Sequence, residues 1–321
     1  MVLFDLAGPE PPDATLWEQA ADLTVGIDPW CSGPDWVLSV KDGFAPEAEP
    51  IVLSTATGFA ILARYTSSEG PDIIAGFEPL WGFACPVLGP DPATVAGAVA
   101  SLLSRRRDWD QLVLPGFPAD AELARVVARP LSVLGEVRGA QGISRQLARI
   151  GDFDQWLSRR SRSSRRNFRV AERKGQEAGL SFHDASNDDY LLDRLLAIES
   201  KSWKGQADSG ITAPSMSTLY RRLIDRLQTN DRCHCHIARL GGFDVGYILG
   251  GVRNEIYRGL QLSYVEDAGQ LSVSHLLQLH QIKLLCEKKA ARTYDLGMDM
   301  PYKTAWADHT ATSLTIVVQA S

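Results

Sequence analysis

The stretch YDLGMDMPYKTAW, Tyr294 to Trp306, is a short apolar strand that runs through a glycine into a polar turn carrying Asp299, Tyr302 and Lys303. A buried strand that ends on charged and hydroxyl groups sets them at the end of a sheet, where a cleft can use them. Immediately upstream, a helix spans Ser272 to Lys289, opened by the segment Leu271-Ser272-Val273-Ser274-His275. Before it come three runs with strand alternation, Cys233 to Leu240, Val245 to Val252 and Ile256 to Tyr264, parted by turn signals at Gly241-Gly242 and Arg253-Asn254. Further back lie a helix over Gln155 to Glu177, a strand at Leu180 to Phe182, and helices over Ser186 to Ser202 and Ser215 to Leu227. A last strand at Leu314 to Val318 finishes this half. Helices, a meander, then strand, helix and strand predict an α/β (α+β) domain whose mixed, mostly antiparallel sheet is flanked by helices.

The pattern changes near Gly151, which divides the chain into residues 1–148 and 149–321. In the first part, strands are expected at Trp36 to Val40, Pro50 to Ser54, Gly58 to Arg64 and Gln111 to Leu114, with a helix over Asp91 to Arg105. This part holds no His, Cys and carboxylate cluster at ligand spacing and no nucleophile constellation, so it is read as a framing domain. Its Phe77 to Phe83 segment, with Leu80 and Trp81, is a candidate apolar lining.

At 321 residues the chain has room for two cores, and 45% apolar with 22% charged residues describes an ordinary globular protein. No run approaches the ~18 apolar residues of a membrane span, and the N-terminus lacks a basic region, so a cytoplasmic protein is expected. Five scattered cysteines suit reduced thiols. A net charge of −6 argues against a general nucleic-acid binder. Charge is uneven, however, because eight Arg or Lys residues fall between Arg159 and Lys174 with Glu172 as the only acid. Guanidinium forks match phosphate oxygens, which makes Arg165, Arg166 and Arg169 candidate phosphate ligands on an otherwise solvated helix face. In Cys233-His234-Cys235-His236, strand alternation sends the cysteines to one face and the histidines to the other, so the four cannot close a metal tetrahedron. No metal site is expected.

Three segments, LSRRSRSSRRNFRVAERK (Leu157 to Lys174), ESKSWKG (Glu199 to Gly205) and YDLGMDMPYKTAW, together resemble the C-terminal half of GNAT-like acyltransferases, in the bacterial subgroup related to the FemAB/FemX peptidyltransferases. The resemblance covers residues 150–321. It implies two GNAT-like domains, the N-terminal one a degenerate copy, and an N-acyltransferase moving groups other than aminoacyl groups. The donor implied is an acyl-CoA or acyl carrier protein thioester, the acceptor an amine of small-molecule or peptide class, and no cofactor is tightly bound. By the same resemblance the donor lies along Gln261, Leu262 and Tyr264 and meets the helix start at Ser272, Val273, Ser274 and His275, where Ser272 and Ser274 can cap the helix and donate to phosphate.

Within that frame, Lys303 is placed to steady an oxyanion, Tyr302 to protonate a leaving thiolate, and Asp299 to orient the lysine or hold the amine. Glu199, one helical turn from Trp203 and partly desolvated by its indole, is the candidate base, with Lys204 beside them. The donor loop departs from the family by lacking its glycines, which leaves less room for a diphosphate. Two alternatives therefore stand: an aminoacyl-tRNA-dependent, Fem-like peptidyltransferase, and a non-catalytic binding or scaffold protein with the same fold.

Overall fold

The computed structural model describes residues 10–66, 68–119, 122–207 and 209–320. In chain order the elements are α1 (Ala14–Leu23), α2 (Pro34–Phe44), β1 (Glu49–Thr55), β2 (Gly58–Tyr65), β3 (Ile73–Gly76), β4 (Val87–Leu88), α3 (Pro92–Leu103), β5 (Gln111–Pro118), α4 (Glu122–Leu131) and β6 (Gly135–Arg149). There follow α5 (Phe153–Ser158), α6 (Arg162–Glu177), β7 (Ser181–Asp184), α7 (Leu191–Glu199), α8 (Trp203–Gln206), α9 (Pro214–Thr229), β8 (Cys233–Leu240), β9 (Phe243–Arg253), β10 (Ile256–Tyr264), α10 (Val273–Glu287), β11 (Thr293–Met298) and β12 (His309–Ala320). These group into two compact units, residues 1–144 with 311–321, and residues 145–310. The last strand, expected to finish the second domain, therefore joins the first, and the second unit takes up the end of β6 from residue 145 onward.

In the first unit the strands run in the order β1, β2, β3, β5, β12, β6, with β4 on β2. Here β3 and β5 pair in parallel through Ile73–Ala75 and Gln111–Val113, with α3 as the crossover between them. The segment Trp36 to Val40, read as a strand, is the middle of α2. Pro34 at its first turn presets the helical φ, and Trp36, Val37 and Val40 fall on one buried helical face.

In the second unit the order is β6, β11, β10, β9, β8, β7. The β8–β9–β10 meander is antiparallel and turns at Gly241-Gly242 and Asn254-Glu255, while β10 and β11 are parallel, joined by α10. Each unit thus holds an antiparallel pair feeding a strand, helix and parallel strand. The expected single helix from Gln155 to Glu177 is broken after Ser158, because the Ser161 hydroxyl accepts the Ser164 N–H at 3.0 Å and starts α6 afresh. Phe168, Ala171 and Gly175 are its buried face. The core beneath gathers Trp156, Phe168, Tyr257, Ile282, Tyr294 and Trp306. Among the described residues no helix is long and apolar enough to cross a membrane, and all five cysteines are free thiols.

Candidate active site

The parallel strands β10 and β11 stay paired only from Ile256 to Arg258 against Thr293 to Asp295; beyond that β10 shifts register at Gly259/Gln261 and continues along β9 alone. The two strands part like a fork. Asp295 holds the crotch: buried on β11, it pairs with Arg258 of β10 at 2.8 Å and with Arg145 of β6, and accepts the Gly297 N–H at 2.8 Å. Gly297 (φ +78°) then turns β11 away, a backbone state that only glycine adopts cheaply.

A groove of about 440 Å³ opens in the fork. Gly259, Leu260, Gln261, Leu262 and Tyr264 of β10 form one side, Tyr294 and Leu296 of β11 the other, and Ser274, His275 and Gln278 of α10 cross the end. Trp203 and Lys204 of α8, with Tyr302, Lys303 and Trp306, complete the wall.

Lys303 is half-buried, and its ammonium donates to Met298 O at 3.0 Å. Loss of water, then the nearby Arg258 guanidinium, bring its pKa down to about 8. Tyr302 is an exposed phenol beside it, its pKa raised by desolvation, and it stays protonated at neutral pH. His275 packs 5.6 Å from Trp306 and 6.3 Å from Phe168, ring to ring, and burial lowers its pKa, so its imidazole is neutral at pH 7. Trp306 is buried, stacked on Trp156 and tilted on Phe168 at 4.6 Å, so it both packs the core and walls the groove.

The structure brings Gln261, Leu262, Tyr264, Ser274, His275, Trp203, Tyr302 and Lys303 together in one groove. The other expected site residues lie elsewhere. Glu199 is fully buried beneath it, accepting the Tyr247 hydroxyl at 3.1 Å and the Ile211 N–H at 3.4 Å, and is not part of the groove wall. The helix read through Ser202 ends at Glu199, and Ser202 starts α8, so Trp203 does not stack on that carboxylate's own helix face; it is 59% exposed on the groove rim. Asp299 receives an amide N–H from Gln146 and so ties down the loop after β11 rather than facing the groove.

Val273 is buried in the core against Ile248 and Leu277. Ser272 sits in the left-handed region (φ +57°) and makes no side-chain cap, so the expected capping is absent there. Two carboxylates, Glu266 and Asp267, stand in the 3-10 turn that leads into α10. Arg165, Arg166 and Arg169 lie on α6 outside the groove, and none has a side-chain hydrogen bond or ion pair among the described residues. The run's structural members are Arg159 and Arg160, which both bind Asp308, Arg160 also lying 5.2 Å over the Trp156 ring.

Sequence reasoning passed over Asp295, Arg258, Arg145 and Gln146. Their signal was available in part, since a lone acid inside TYDLG and a lone arginine inside IYRGLQL each break an apolar strand, and buried charges come in pairs.

A meander feeding a forked parallel pair, with a helix start across the fork and ammonium, phenol and imidazole groups around one groove, defines an acyltransferase fold of the GNAT kind. Residues 162–304 match the model of the acetyltransferase (GNAT) domain, so the second unit carries that domain. FemX, at 11% identity, matches over 95% of this chain and 96% of its own with a TM-score of 0.66. A conserved protein of unknown function from Bacteroides thetaiotaomicron, at 9% identity, covers 99% of this chain and 100% of its own with a TM-score of 0.64. A tandem GNAT protein from the clavulanic acid biosynthesis pathway, at 14% identity, covers 100% of this chain and 99% of its own with a TM-score of 0.50. At such identities the likeness is one of fold, and that fold is two GNAT-like domains. No curated protein matches the sequence. In the first unit, Phe77 and Glu78 just beyond Gly76 are buried, and the crevice beside Phe77 holds about 10 Å³, room for no more than a water.

Proposed function

We propose that the second unit is an N-acyltransferase that passes an acyl group from a thioester, acyl-CoA or acyl carrier protein, to an amine by direct attack. The observation that carries this reading is the groove in the β10/β11 fork with the Lys303 ammonium in its wall. The neutral amine attacks the thioester carbonyl, a C–N bond forms, and the carbonyl oxygen takes up the charge beside Lys303. Fixed donors at such a point lower a barrier by about 3–4 kcal/mol. The neutral His275 accepts the proton that the new amide nitrogen sheds, in the role once assigned to Glu199. The C–S bond then breaks and Tyr302 gives its proton to the leaving thiolate. Amide and thiol are the products; the thioester is a co-substrate and no cofactor stays bound. A small thioester metabolite and five free thiols both suit a cytoplasmic enzyme.

Thiol release from a panel of acyl-CoA thioesters and amines, followed with a thiol-reactive dye, tests the proposal. Release that disappears in Lys303→Met supports it; no release from any thioester, CoA-linked or carrier-linked, overturns it.

A second reading has its own support. Glu266 and Asp267 precede α10 where a diphosphate would need cations or glycines, while Arg165, Arg166 and Arg169 have no acid partner among the described residues. Both facts favour a donor held by a longer phosphate backbone, as in aminoacyl-tRNA-dependent transfer. Loss of the reaction on ribonuclease treatment would establish that donor in place of a thioester.

A further inference from the structure

Two ammonium groups face one groove, and the chemistry above uses only one of them. Lys204 Nζ donates to Gln261 Oε1 and to Leu262 O, each at 2.9 Å, and Lys303 Nζ donates to Met298 O at 3.0 Å. All three acceptors are neutral oxygens. Among the described residues the lysines that form ion pairs are Lys283 and Lys288, not these two, and no Asp or Glu of the described residues belongs to the groove lining. The carboxylate with the strongest pull on Lys204 is Glu199, which lies below the wall and is engaged with Tyr247 and Ile211. A cation drawn out of water and left facing neutral dipoles is costly until an anion joins it. Burial does lower the Lys204 pKa, in keeping with that cost. The remaining wall is mostly apolar or aromatic, with Ile248, Leu260, Leu296, Trp203, Tyr264 and Trp306 among it. Two like charges on such a wall repel a polycationic acceptor and attract an anionic one.

We propose that Lys204 is a carboxylate anchor, so that the groove selects a substrate carrying a carboxylate and an apolar or aromatic body alongside the reacting group, an α-amino acid acceptor being the simplest case, and rejects polyamines. The inference rests on the reading that this groove holds the substrates. The same contact serves a carboxylate on the acceptor or at the far end of a dicarboxylic acyl chain, and Gln261 keeps Lys204 pointed at either.

Calorimetric binding to the full-length chain tests this without turnover. One pair of probes is N-acetylphenylalanine and its decarboxylated counterpart N-acetylphenethylamine; the other is succinyl-CoA and butyryl-CoA. The acid of at least one pair is expected to bind roughly 10- to 100-fold more tightly, the usual worth of one charge-assisted hydrogen bond. A preference in the first pair assigns the carboxylate to the acceptor, and one confined to the second pair assigns it to the acyl chain. Lys204→Met should abolish the preference, and Lys204→Arg should keep it. Equal affinities within both pairs, failure of all four probes to bind at millimolar concentration, or a preference that survives Lys204→Met overturns the assignment. The wild-type comparison stands even if the methionine variant folds poorly. A carboxylate preference in a protein that releases no thiol would end the acyl-transfer reading and leave the anchor; thiol release with no preference would do the opposite.

Discussion

Lys303 loses hydration in the groove wall and feels Arg258 and Lys204, which together bring its pKa to about 8. A free lysine titrates at ~10.4, so the unfolded chain holds this proton more tightly than the folded one. Stability from this group is therefore lowest where both states are charged, below the folded value, and rises as pH climbs from about 8 toward the unfolded value. Lys303→Met should accordingly raise the melting temperature at pH 7, and by less at pH 10, while cutting kcat by about 10²- to 10³-fold if the charge steadies an oxyanion. Parallel melting curves and thiol-release rates check both halves. In the wild type the rate should fall as pH passes about 8, and Lys303→Arg should carry that falling limb upward because a guanidinium keeps its charge. Glu199 is predicted to behave otherwise. Glu199→Ala strands the Tyr247 hydroxyl and the Ile211 N–H, so urea unfolding should show a loss of about 1–3 kcal/mol with kcat per folded molecule unchanged. A hundredfold fall in kcat at full stability would restore it as the base.

At the scale of elements, the fork depends on the last paired position of β10 and β11. Asp295→Asn would remove the carboxylate that Arg258 and Arg145 share at the fork, a change expected to cost about 3–5 kcal/mol in urea unfolding and to close or distort the groove. The strands around it were readable before any coordinates. The limits of β8 and β10 fell on the expected residues because Cys233 to Leu240 and Ile256 to Tyr264 alternate cleanly between turn residues. Trp36 to Val40 misled because β-branched and aromatic residues favour strands on average, and the proline two residues earlier was the stronger signal. Lys303 and Tyr302 could be placed in a cleft because the polar turn follows an apolar strand directly. Glu199 could not be placed correctly, since the spacing to Trp203 supposes one unbroken helix and the Ser202 cap ends that continuity. Lys204 was seen only as a neighbour, because its partners Gln261 and Leu262 are more than fifty residues away, beyond any local pattern.

At the scale of the whole molecule, charge and chain path matter more than single contacts. The side chains of Arg165, Arg166 and Arg169 make no hydrogen bond or ion pair among the described residues, so replacing the three with Ala together should leave stability within about 0.5 kcal/mol per site. A larger loss in thermal unfolding would mean that they hold the fold. The first unit is closed by a strand from far along the chain: Ser313 to Gln319 of β12 pair with β5, and Ile316 and Val318 are buried there. Stopping the chain at residue 310 should expose the edge of β5 and produce aggregation with loss of the first unit's unfolding transition, observable by calorimetry and light scattering.

That closing strand also sets an order of events in the cell. An N-terminal half emerging from the ribosome can form α1 to α4 and most of its sheet, yet β5 stays open on one side until the distant strand β12 has been made and can pair with it. During that interval the nascent protein presents an unsaturated edge, the kind of surface that holding chaperones cover and that neighbouring nascent chains can invade. Synthesis of β12, more than the speed of local folding, therefore times the maturation of the half that was made first.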